Sequence, residues 1–181
     1  DTNAPSTTSA MTKTPVAIVT DSATALPHQT LISHGIHVAS MEVTIGDETF
    51  VDGPDGALDD FYSRLRTSEK LPTTSAPKPG AWLEVFRTAA QSAEAVFCIT
   101  LSANLSAAYD AARVAAEMAE SELPDTPVTV FDSRSAAGSE ALVVLECARL
   151  ASDGAGLDAI RARAKHVSEN VRLIAYLDTL E

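Results

Sequence analysis

Three apolar segments of this 181-residue chain each end abruptly in a short polar switch and then pass into a helical pattern. They are Val16–Thr20 running into Asp21–Ser22, Ala95–Leu101 running into Ser102, and Val128–Phe131 running into Asp132–Ser133. A short run that is apolar throughout, rather than at alternate positions, marks a strand covered on both faces, as in parallel sheets. Parallel strands bring their C-terminal ends to one edge, where open α/β sheets bind ligands. A helix starting at that edge offers unpaired N–H groups to an anion such as a carboxylate or phosphate. The expected fold is therefore α/β, with a parallel or mixed sheet and flanking helices. The expected site is one for a small molecule, built from hydroxyls and backbone amides.

The remaining punctuation supports alternating strands and helices. Pro27 suits the first turn of a helix reaching His34, and Gly35 stops it. Ile36–Ile45 reads as a strand, and Gly46–Asp47 turns the chain into Glu48–Val51 as a hairpin. Within Ala57–Thr67, Leu58, Phe61, Tyr62 and Leu65 recur at helical spacing and predict an amphipathic helix. Leu71–Pro79 is a loop stiffened by prolines, followed by predicted helices over Gly80–Ser92 and Leu105–Ser121. A nearly all-apolar helix is expected over Gly138–Ala151, then another over Leu157–Val167, and a strand over Val171–Tyr176. There is no internal repeat. Strands alternating with helices in this way predict right-handed crossovers.

Charge and cysteine content exclude several classes. A net charge of −12 argues against nucleic acid, which is bound through clustered Lys and Arg. The same field slows anionic ligands, so an anion site here must rely on local donors. Cys98 lies in an apolar strand and Cys147 in an apolar helix, without metal-like spacing, so both are expected to be buried, reduced thiols. Reduced thiols and the lack of a long apolar span fit a cytoplasmic protein with no transmembrane helix. Residues 1–14 are polar and lack the apolar centre of a secretory signal. They are set aside as a disordered tail or expression remnant, with Met11 a candidate natural start.

The chemistry-bearing positions each admit two readings. Thr73, Thr74 and Ser75 place consecutive hydroxyls on a proline-fixed loop, able to donate to a carboxylate or to form a turn and cap. Ser102 and Ser106 flank the start of the Leu105 helix, where Ser102 or Asn104 also suits an N-cap. Asp21–Ser22 and Asp132–Ser133 serve equally as strand-end site support or as structural turns. Phosphate-loop and dinucleotide glycine motifs are absent, and no serine sits in GxSxG. Asp21 follows a strand as a phosphoryl-accepting aspartate would, but Ala23 stands where a second carboxylate would hold Mg²⁺. His28, His34, His37 and His166 lack metal-ligand spacing and read as surface or capping residues. No metal and no cofactor is expected. An enzyme using Asp21 or Ser102 as a phosphotransferase or hydrolase, and a sensor of another small molecule, remain the alternatives.

Four segments in order carry a resemblance. IVTDSATALP (18–27), TSAPKPGAW (74–82), ITLSANLSAAYDAA (99–112) and VFDSRSAAG (130–138) resemble the successive motifs of the DegV family, covering nearly the whole chain from Val16. The resemblance implies a bacterial lipid-binding protein rather than an enzyme. It would hold a long-chain fatty acid in a buried tunnel. It would present the carboxylate to a separate fatty acid kinase, which makes acyl phosphate for phospholipid synthesis, with transient membrane contact. It implies that Thr74, Ser75, Ser102 and Ser106 bind the carboxylate. It also implies an N-terminal domain over residues 15–169, with 170–181 opening a second domain that is otherwise missing. Two features depart from the family. The usual Ser-Ser-x-Leu-Ser-Gly-Thr-Tyr is here Ser102–Ala103–Asn104–Leu105–Ser106–Ala107–Ala108–Tyr109, two hydroxyls fewer. The Gly-Gly-Arg segment that follows in the family is not present.

Overall fold

A computed structural model describes residues 13–52, 58–68 and 70–176. Four strands form one parallel sheet in the order β2-β1-β6-β7: β1 (Thr14–Asp21), β2 (His37–Ala39), β6 (Ala93–Thr100) and β7 (Val128–Asp132). Every neighbouring pair is parallel, with Val19 opposite both His37 and Cys98, and Thr100 opposite Asp132. The α/β fold with a parallel sheet between helices is therefore the one expected.

Alternation along the two central strands feeds two cores. Ala17, Val19, Val96 and Cys98 point to one face, where α3 (Pro79–Ala90) and α4 (Ala108–Glu122) pack through Trp82, Leu83, Phe86 and four alanines. Val16, Ile18, Phe97 and Ile99 point to the other, against α5 (Ala137–Ser152) and α6 (Leu157–Asn170) through Val143, Val144, Cys147 and Ile160. Burial on both faces is why the central runs Val16–Val19 and Ala95–Ile99 are apolar throughout. Cys98 and Cys147 are free and buried, as expected. Burial pushes both thiols up, Cys147 to about 12.

Several expectations change. Ile36–Ile45 is not one strand: β2 ends at Ala39, and β3 (Met41–Ile45) belongs to a separate antiparallel sheet of order β4-β3-β5. The pattern stays semi-apolar across Ser40, so nothing in it marks the change of sheet. Thr73–Ser75, expected as loop, is β5, pairing with β3 through Val43–Thr74 and Glu42–Ser75. Val171–Tyr176 is not a strand, because no described strand pairs with it; Ile174 and Tyr176 are 92% exposed. The fold starts slightly before the expected boundary: Thr14 opens β1 opposite Ala93, and Lys13 Nζ donates to Ala90 O at 2.9 Å. Finally, the Leu105 helix begins later, at Ala108, and neither Ser102 nor Asn104 is its cap; Ala107 holds that position without a side-chain bond.

The hairpin is as expected, with Gly46 at φ 63° between β3 and β4 (Glu48–Asp52). Glycine takes this left-handed conformation without the penalty a Cβ brings. Helix α1 is His28–Ser33 and α2 is Leu58–Thr67; the expected first residue of α2, Ala57, lies outside the described residues. Phe61 meets Phe50 edge-on at 6.1 Å, and Arg64 pairs with Glu48, so α2 lies on β4. Tyr62, expected on the apolar face of α2, is instead 51% exposed.

The small residues of α4 set how closely it approaches the sheet. Ala108, Ala112 and Ala115 are fully buried. Replacing Ala115 by Leu is expected to destabilise the fold by about 1–3 kcal/mol through overpacking, read as a lower midpoint in urea denaturation. An unchanged midpoint would mean that α4 has slack space beneath it.

Candidate functional site

At the C-terminal edge of the parallel sheet the backbone runs out of ladder partners, and side chains take over. Asp21 ends β1 fully buried. Its Oδ1 accepts from Ala23 N at 3.0 Å, and its Oδ2 accepts from Leu101 N at 2.8 Å. One carboxylate thus caps the turn after β1 and ties that turn to the exit of β6. Thr24 Oγ1 adds a bond to Asp21 O at 3.2 Å.

The serine loop follows directly. Ser102 is 4% exposed; its N–H donates to Ser135 O at 2.9 Å, and its carbonyl accepts from Leu105 N and Ser106 N. Its hydroxyl accepts from Asn104 N at 3.3 Å, while that of the half-buried Ser106 accepts from Ala108 N at 3.2 Å. These are turn-stabilising bonds of the kind serine commonly makes, and each hydroxyl keeps its own proton available to donate. On the far side, Asp132 Oδ1 accepts from Arg134 N at 2.8 Å and from Ala103 N at 3.2 Å. Ser133 is fully buried and its hydroxyl exchanges bonds with Ser135. Arg134 and Ala137 hold positive φ, 54° and 50°, in the same turn. Non-glycine residues in this region carry strain, which concentrates at functional loops.

The structure therefore brings six predicted positions to one edge: Asp21, Ser22, Ser102, Ser106, Asp132 and Ser133. Ser22 also joins the two sheets, donating to Asp52 Oδ2 at 2.8 Å and accepting from Met41 N at 3.0 Å. Thr74 and Ser75 lie on β5, exposed, on the second sheet. Among the described residues no hydrogen bond links them to the serine loop. A cavity of about 280 Å³ lined by Thr14, His34, His37 and Ser152 lies at the opposite edge, where the strands begin. No group of side chains suited to a metal ion occurs among the described residues.

Sequence reasoning missed Glu140. It is fully buried in the first turn of α5, and its Oε1 accepts from Thr20 Oγ1 at 3.4 Å. Its carboxyl lies beside that of Asp21, and burial, then the Asp21 charge, raises it far above the usual carboxylate range. Burial likewise raises Asp21, against the lowering effect of its two backbone donors. The available signal was an acid in the first turn of a nearly all-apolar helix. An acid in a first turn is so often a dipole partner that it attracts no notice.

A scan against family models matches residues 15–181 to one described as an uncharacterised protein of the DegV family. A DegV domain-containing protein of Caldanaerobacter subterraneus subsp. tengcongensis is 31% identical over 166 residues, covering 92% of this chain and 58% of that protein. Among solved structures, a fatty-acid-binding DegV family protein from Thermus thermophilus superposes with a TM-score of 0.75 at 26% identity. It covers 86% of this chain and 54% of that one. The fatty acid kinase B3 protein of Streptococcus pneumoniae, loaded with linoleic acid, shares the fold at a TM-score of 0.72 and 22% identity. The coverages are 85% and 54%. The chain thus spans between half and three fifths of the lengths of these proteins.

The raised acids make stability pH-dependent. Unfolded, they lose protons at their ordinary values of 3.8 and 4.5; folded, they hold them to higher pH. Stability is therefore greatest below the ordinary values and falls as pH rises through the raised ones. Glu146 has the opposite shift, lowered to about 2 by Arg149 and then Arg163, so its effect lies below this window. Between about pH 7 and about pH 8, above the ordinary value of His37, whose burial-lowered pKa acts with the opposite sign below it, unfolding free energy is expected to fall by up to about 1.4 kcal/mol per unit for the proton Glu140 retains. Urea denaturation at several pH values checks this; a flat or rising profile would contradict it.

Proposed function

The chain belongs to the DegV family, and on that premise we propose that it binds a long-chain fatty acid and presents its carboxylate to a separate fatty acid kinase. The observation that carries this reading is the fold shared with the Thermus thermophilus fatty-acid-binding protein. The pneumococcal kinase protein supports the second half through fold alone. In this reading Ser102 and Ser106 hold the carboxylate from the serine loop and Thr74 and Ser75 from β5. Asp21, Ser22, Asp132 and Ser133 support them at the strand ends. Residues 15–169 then form the N-terminal domain, and 170–181 open a second one whose remainder completes the tunnel. The protein works in the cytoplasm, without cofactor or metal, as a carrier rather than a catalyst.

Chemistry supports the assignment. Each buried methylene contributes about 0.8 kcal/mol, so the acyl chain supplies affinity and the head needs only neutral donors. Leu105, between the two serines, is 65% exposed, and Leu142 on α5 is 55% exposed. These apolar side chains suit cover by an acyl chain or the second domain. Hydroxyl donors also leave the carboxylate free to react elsewhere. The alternative in which Asp21 acts as a nucleophile conflicts with its burial and its two backbone donors.

Native mass spectrometry with solvent extraction, on this chain and on a form extended to the length of its relatives, tests the reading. Stoichiometric fatty acid on the extended form is expected, with weaker retention on the short one. Thr74→Val is expected to reduce oleate affinity about tenfold, the equivalent of one lost hydrogen bond to a charged group, without changing the fold. Unchanged retention would remove Thr74 from the site, and an extended form that rejects oleate would remove the carrier reading.

A further inference from the structure

Among the described residues, Glu140 is the buried acid to which the head-group reading gives no role. Its Oε1 has Thr20 Oγ1, but its Oε2 finds no N–H or O–H donor. The group beside it is the side chain of Asp21. Two carboxylates are both acceptors, so this contact exists only while one of them carries a proton. Asp21 accepts from two backbone N–H groups, which favours its ionised form, so the proton resides on Glu140. The charges facing the pair keep it there. Asp21 and Asp132 act on Glu140, and Asp52 acts on Asp21. From β6 the Cys98 thiol faces both acids and stays protonated, and from β1 Thr20 offers a neutral hydroxyl. On α6, Arg163 is engaged with Glu146, farther along α5.

We propose that Glu140 is a positioning residue of the strand-end site: its buried carboxyl, set against Thr20 and Asp21, holds Asp21 in place, and Asp21 fixes the backbone that enters the serine loop. The connection is short. Asp21 Oδ2 holds Leu101 N, the next residue is Ser102, and the Ser102 carbonyl accepts from both Leu105 and Ser106. When Glu140 ionises, two carboxylates repel each other in a site closed to water, and the Leu101 anchor loosens. Glutamine has the same shape and an amide donor that never titrates, so it keeps the bond to Asp21 at every pH. The consequence for ligand binding rests on the fatty-acid reading; the hold on the loop does not.

The test compares wild type, Glu140→Gln and Glu140→Ala, each in the extended form, by oleate titration and by amide exchange at Leu101 from about pH 7 to about pH 10. Exchange is read as the ratio to Glu140→Gln at the same pH, which cancels base catalysis. Wild type and Glu140→Gln are expected to match near neutrality. At the alkaline end wild type is expected to lose about tenfold in Leu101 protection and in oleate affinity, while Glu140→Gln holds both. Glu140→Ala, where it folds, is expected to have lost both throughout. A Glu140→Gln protein that follows wild type through the whole range, or that is as impaired as Glu140→Ala, would overturn the proposal. Wild type that binds no oleate while Leu101 responds as described would remove the fatty-acid reading and leave the coupling standing. An unresponsive Leu101 would remove the coupling.

Discussion

Burial of a four-stranded parallel sheet on both faces is the constraint from which the rest of this molecule follows. With helices on each side, the central runs of β1 and β6, Val16–Val19 and Ala95–Ile99, have no solvent face on which to carry polar residues, and buried polarity gathers at their C-terminal ends. Because the strands run the same way, they stop together. Residues 80 apart in the chain, Asp21 and Leu101, then meet at one edge. A buried amide beyond the end of a ladder must find an acceptor. The Asp21 carboxylate supplies it for the buried Leu101, and Asp132 accepts from the exposed Ala103. The strand-end acids are thus substitutes for ladder bonds before they are anything else.

That substitution has an electrostatic consequence for any anion at the edge. A chain with a net charge of −12 has placed Asp21, Glu140 and Asp132 around its serine loop. Were all three ionised, a carboxylate ligand would meet strong repulsion at short range. One proton kept between Asp21 and Glu140 reduces the charge of that pair from two to one. In the proposed reading, the hydroxyls of Ser102 and Ser106 then meet a carboxylate over a milder field. Cohesion of the loop and tolerance of an anion are served by the same proton.

Much of this was legible in the residues. Continuous apolar runs identified three strands of the parallel sheet, although β7 is half-buried rather than buried, and their polar switches located the edge. What stayed hidden has physical causes. Thr73–Ser75 forms a strand because β3 pairs with it, a tertiary contact that leaves no periodicity in three hydroxyl residues. The break at Ser40 separates strands of two sheets, and the alternation on either side reads through it. Glu140 was hidden by its place in a first turn, where an acid normally answers the helix dipole at the surface. Only packing shows that this one points inward, against Thr20 and Asp21.

The same geometry bears on catalysis at the edge. A nucleophilic aspartate must leave an oxygen free to approach a phosphoryl or carbonyl centre, and must not lose its anchoring when it does so. Both Asp21 oxygens are committed to backbone amides, and its carboxyl is closed to solvent. Attack through Oδ2 would surrender the bond to Leu101 and so disturb the loop that contains Ser102, the other candidate group. The two residues on which an enzyme reading depends are therefore mechanically linked in a way that sets one against the other. A binding site has no such conflict, since it needs only that the Asp21 anchor stay in place while Ser102 and Ser106 donate.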